Sequence, residues 1–132
     1  MTEISSYKLA CVIARILDDK KAQNITILDI SKVSVLADYF VIVSAQTSSQ
    51  VKSLTNNTRE KIKELFSRIP VGDENDLKNR WNLLDYGDVV LHVMQQDERD
   101  NYALEKFWSH AYTVKEDDWL ENSKEYAMYL NA

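Results

Sequence analysis

Glycine and proline are almost missing from this chain: two glycines and one proline in 132 residues. That scarcity excludes collagenous and linker-like architectures and leaves little material for a glycine-rich, phosphate-cradling loop. Cysteine occurs once, at Cys11. An intrachain disulfide is therefore impossible, and the apolar helical pattern around Cys11 predicts a buried thiol. Positive charge is in the minority, with 16 Lys and Arg against 21 Asp and Glu and a net charge of −5. A protein that grips phosphates with a whole face is usually basic, so primary nucleic-acid binding is disfavoured, whereas docking on a basic protein is not. No apolar run approaches the ~18 residues of a membrane helix. The start, Met1-Thr2-Glu3-Ile4, lacks a charged segment followed by an apolar one, so a cytoplasmic location with no membrane partner is expected.

What is present is ordinary for one globular α/β domain: 45% apolar and 28% charged residues at a length that supports one core. Leu9, Val12, Ile13, Ile16 and Leu17 recur at helical steps, with Ser5 or Ser6 as the cap. Asn24 to Ile30 is short and rich in β-branched residues, which predicts a strand. Tyr39 to Val43 is apolar on both faces, as a central strand covered on both sides would be. Thr47 followed by Gln50 has the form of a capping box. It opens a helix whose stripe is Val51, Leu54, Thr58, Ile62 and Leu65. Pro70 ends that helix, and Ile69 to Gly72 is expected as a short edge strand with Asp73 to Arg80 as a surface loop. Trp81 to Asp85 and Asp88 to Met94 flank Tyr86-Gly87, a hairpin signal because Gly87 can take positive φ. Tyr102, Leu104, Phe107 and Trp108 fit a further short helix. Hairpin pairings together with a crossover helix imply a layered domain with a mixed sheet.

Four constellations admit chemistry, and each has a plainer reading. Thr47, Ser48 and Ser49 sit where helix-terminal amides can bind phosphate, but without glycine or lysine they read as a helix cap. Asp85 and Asp88 could hold magnesium if they converged; across a tight turn, turn-forming or partner-facing carboxylates are favoured. His92 could be a base, yet no nucleophile is placed beside it, and a hydrogen-bonded structural histidine fits better. In that strand Val89, Leu91 and Val93 make the more plausible core face, opposite Val90, His92 and Met94. Lys52, Arg59 and Lys63 align on one helix stripe and could touch RNA, though solvated cations opposite an apolar stripe are routine. Trp81, Tyr86, Arg99, Tyr102 and Trp108 are the residue types that anchor protein interfaces, and their number suggests a contact surface beyond the needs of the core.

Read together, these segments resemble the ribosomal silencing factor family, also called Iojap-like. The carrying residues are Asp29, Ser34, Ala37-Asp38-Tyr39-Phe40-Val41-Ile42, Ser44 and Ser48-Ser49-Gln50-Val51. They continue with Trp81, Leu84-Asp85-Tyr86-Gly87-Asp88-Val89-Val90, His92, Arg99, Tyr102, Leu104-Glu105 and Trp108. The resemblance implies a nucleotidyltransferase-like fold without its catalytic carboxylates, hence no enzyme activity and no cofactor or metal. It implies binding of the large ribosomal subunit through ribosomal protein fourteen, blocking of subunit joining, minor ribosomal RNA contact, and a homodimer when free. The partner-binding residues it implies are Trp81, Leu83, Asp85, Tyr86, Asp88, Arg99 and Tyr102. A phosphate-handling enzyme of nucleotidyltransferase type is the alternative, and a dimeric adaptor unrelated to ribosomes is a further rival.

The resemblance stops near Ala111. Residues 1–111 are accordingly expected as the domain and 112–132 as an acidic C-terminal extension, with five acids against two lysines. In that extension Trp119, Tyr126 and Leu130 fall at helical spacing and predict a helix that folds back, with a dimer contact as one role for it.

Overall fold

A computed structural model describes residues 3–130. The first helix, α1 (Ser6–Asp19), is capped by Ser5, whose hydroxyl accepts from the Lys8 amide at 3.1 Å. Its predicted stripe is buried, and so are Ala10, Cys11 and Ala14, because the sheet, a second helix and the C-terminal segment enclose it. Strands β1 (Gln23–Asp29) and β2 (Tyr39–Ala45) follow. Helix α2 (Ser48–Phe66) starts with Thr47 Oγ1 accepting from the Gln50 amide, while Gln50 Oε1 accepts from the Gln46 amide. The capping box is thus formed, displaced by one residue at its return bond. Ser67, left-handed at φ 55°, closes the helix before Pro70.

Strands β3 (Gly72–Asn75), β4 (Trp81–Asp85) and β5 (Val89–Gln95) complete the middle of the chain. Short helices α3 (Gln96–Tyr102) and α4 (Leu104–Phe107) then precede β6 (Tyr112–Val114), α5 (Glu116–Glu121) and a 3-10 segment, Lys124–Tyr129. Among the described residues, six strands form one mixed sheet in the order β3-β4-β5-β2-β1-β6. Only β2 and β5 run parallel, with Phe40 opposite Val90 and Ile42 opposite His92; their connection passes through α2, as a parallel pairing requires.

The two sheet faces are unequal. Val41, Val43, Leu84, Val89, Leu91 and Val93 pack with α1 and α2 in the main core. The opposite face carries a smaller cluster of Leu28, Ile30, Phe40, Ile42, Val90 and Met94, over which Trp81, Leu83, Leu104 and Trp108 are only partly buried. The Val89, Leu91 and Val93 stripe therefore faces the main core, as its composition predicts.

Three local expectations change. The edge strand is Gly72–Asn75 instead of Ile69–Gly72, so it occupies the start of the predicted loop. Polar residues suffice there because an edge strand needs pairing on one side only, and Arg59 fixes it by gripping Asp73 at 2.7 and 2.9 Å. The helix predicted around Tyr102 to Trp108 is broken at Ala103, which is left-handed at φ 49°. The C-terminal segment is not an appendage to a domain ending at residue 111. Its β6 pairs antiparallel with β1, and Val114, Trp119 and Leu130 enter the main core. Arg15 ties it down by donating to Ser123 Oγ at 2.8 Å and to the Leu120 carbonyl at 2.7 Å.

Candidate functional site

Strand alternation decides which residues of β4 can meet a partner. Asn82 and Leu84 point to the main core and are buried, while Trp81, Leu83 and Asp85 share the open face. Trp81 donates its indole N–H to His92 Nδ1 at 3.1 Å and packs on Tyr102, with ring centroids 4.8 Å apart. Phe40 sets an edge on His92 at 4.8 Å and another on Trp108 at 5.6 Å; Phe107 packs on Trp108 at 5.0 Å. An aromatic array thus crosses the less covered face, and its two ends, Tyr102 and Phe107, are exposed. Beside it, Glu74, Asn75 and Asp76 border a shallow groove with Trp81 and Leu83. The floor is apolar and the rim carries carboxylates.

His92 is buried under this array, and burial lowers its pKa to about 4. It is neutral near pH 7, and because Nδ1 accepts the indole N–H, the ring proton resides on Nε2. The structural reading of this histidine fits the geometry. A base role does not, since the ring nitrogen free to accept a proton is already occupied by Trp81.

The seven sequence candidates separate. Trp81, Leu83 and Tyr102 come together on the open face. Asp85 shares that face farther along β4, where its Oδ1 accepts from the Gly87 amide at 2.7 Å and shapes the turn. Asp88 pairs with Arg68 at 2.9 Å. Tyr86 and Arg99 are buried, which corrects their placement at a partner surface. Tyr86 lies under the Arg68 guanidinium, 5.7 Å from its ring, and burial pushes its phenol up to about 12. Arg99 donates to Glu105 Oε2, Ser44 Oγ, Thr26 Oγ1 and the Asn24 carbonyl. The irregular register of β1 between Gln23 and Thr26 accompanies that last contact. All five donors of the guanidinium are within the domain, so none is left for a partner.

Phe107, Glu74 and Asp76 join the surface without having been candidates. Phe107 lies beside Trp108, which packs against the smaller cluster while Phe107 stays exposed; helical spacing alone does not separate the two, because an i, i+3, i+4 stripe admits both. Nothing in the periodicity singles out the two acids. The other constellations have local roles, since Thr47 caps α2 and Arg59 is held by Asp73 and Asn56.

The family described as "Ribosomal silencing factor during starvation" matches residues 3–129. The ribosomal silencing factor of Bacillus subtilis is 37% identical over 111 residues, covering 84% of this chain and 91% of that one. The chloroplastic protein Iojap of Zea mays is 29% identical over 106 residues, covering 80% of this chain and 46% of the maize protein. Among solved structures, a Chromobacterium violaceum protein superposes with a TM-score of 0.76 at 33% identity, covering 80% of this chain and 88% of that one. A Bacillus halodurans protein gives 0.70 at 32% identity, with 83% and 98% covered.

Proposed function

The chain belongs to the ribosomal silencing factor family, and from that premise we propose that it represses translation in the cytoplasm by occupying the large ribosomal subunit and sterically blocking the small one. The partner is ribosomal protein fourteen, and the contact is centred on Trp81, Leu83 and Tyr102. One observation carries this reading: the sheet face bearing these residues is only partly covered and has the composition of an interface centre, aromatics surrounded by polar groups. Glu74 and Asp76 at the groove suit a basic partner, and the net charge of −5 steers the chain toward one. Occlusion requires a rigid docking face and no bond chemistry, so the protein acts as a regulator and not as an enzyme.

Two accompanying contacts belong to the same proposal. In the free protein a second copy covers the exposed aromatic face, giving a homodimer. On the ribosome, Lys52 and Lys63 of α2 make minor contact with ribosomal RNA, whereas Arg59 is engaged within the chain by Asp73. The test is co-sedimentation with purified subunits: the protein pellets with the large subunit and stays in the supernatant with the small one. Equal or absent pelleting with both contradicts the proposal.

A further inference from the structure

Trp81 and His92 are diagonal neighbours on adjacent strands. Trp81 stands opposite Met94, and His92 stands opposite Leu83. At this diagonal, long side chains of a sheet reach one another, and here the indole N–H meets His92 Nδ1 at 3.1 Å. An indole can only donate, and a partly buried one prefers to find an acceptor. On this face the acceptor is a ring nitrogen, itself fixed by the edge of Phe40 at 4.8 Å.

The pair is more than core packing because of what each side chain touches next. Trp81 is partly exposed, leans on the exposed Tyr102 and forms the apolar floor of the groove. His92 is buried, with Nε2 finding no hydrogen-bond partner among the described residues. A leucine or phenylalanine would fill such a site without stranding a polar atom. A polar ring kept there with only one nitrogen satisfied fits a site that needs an acceptor at Nδ1.

We infer that His92 is a positioning residue for partner binding: as the Nε2-protonated tautomer it accepts the Trp81 indole N–H and holds that ring in the docking orientation against Tyr102. The inference rests on the proposed docking face. It adds that the face is preorganised from beneath, by a residue the partner never touches. Freeing one large side chain before binding weakens association by about tenfold.

The experiment compares His92→Leu, which removes the acceptor, with His92→Asn, whose amide oxygen can stand near the position of Nδ1. In the 15N-labelled native protein, the His92 nitrogens should show an unprotonated Nδ1 and a protonated Nε2; the reverse assignment overturns the inference without any variant having to fold. In His92→Leu, the Trp81 indole N–H signal should move and exchange faster with solvent, and affinity for purified large subunits should fall about tenfold. His92→Asn should recover both. If a folded His92→Leu protein binds like the native one while Trp81→Ala binds weakly, positioning is wrong and the docking face stands. If Trp81→Ala itself binds like the native protein, the docking face falls and this inference falls with it.

Discussion

Arg99 and Glu105 meet through one carboxylate oxygen, which accepts from Nε at 2.9 Å and from Nη2 at 2.6 Å across the left-handed Ala103. The remaining donors of the same guanidinium reach β1 and β2. Arg99 therefore pins α3 and the start of α4 to the sheet, beneath the point where Tyr102 emerges toward Trp81. Replacing it by Ala leaves the Asn24 carbonyl and the Ser44 hydroxyl without this partner, whereas Glu105, partly exposed, can rehydrate. The expected loss is about 2–3 kcal/mol in denaturant unfolding. Arg99→Lys should recover little of it, because an ammonium cannot reproduce the fork. An Arg99→Ala protein as stable as the native one would return this residue to the surface.

Tyr102 gives the cleanest separation of binding from folding. It is 56% exposed, so Tyr102→Ala should leave the melting temperature nearly unchanged. Loss of an interface anchor typically costs about 2 kcal/mol, well over tenfold in affinity. Native affinity in this variant would remove Tyr102 from the contact.

The C-terminal segment is predicted to be indispensable. Trp119 is 2% exposed and packs in the main core. Trp119→Ala should cost about 3–5 kcal/mol, read by chemical denaturation. Deleting residues 112–132 uncovers α1 and the outer edge of β1, and should yield aggregated or unfolded protein. A soluble, cooperatively melting truncation would show that the segment is an appendage.

Acid should weaken the fold through His92. Its folded pKa of about 4 lies below the ordinary value of 6.5, so the unfolded chain binds the extra proton first. The contribution is complete above pH 6.5 and is lost as pH falls through about 4, amounting to about 3 kcal/mol. Stability measured between pH 7 and pH 4 should decline less steeply in His92→Asn than in the native protein. Parallel declines would mean that His92 does not titrate this way.

Much of the fold was legible because it rests on local patterns. The period of α1, the Thr47 cap and the two-faced apolar run of β2 each encode one element, and the stripe of Val89, Leu91 and Val93 marks the core face. The strand β6 was not legible, since three residues carry no period and are held by pairing with β1. The site was half legible. Residue type pointed to Trp81 and Tyr102, and strand parity placed Trp81 and Asp85 on one face. Type alone could not separate the buried Arg99 and Tyr86 from the exposed aromatics. An arginine that anchors an interface and one that staples a sheet differ only in where their donors go.

Occlusion is tested most directly by the rate of subunit joining. Purified small and large subunits are mixed with the protein in molar excess, and light scattering follows assembly. The account predicts that joining is slowed or abolished, and that Tyr102→Ala at the same concentration largely restores it. Assembly at the normal rate, with the native protein demonstrably bound to the large subunit, would contradict it.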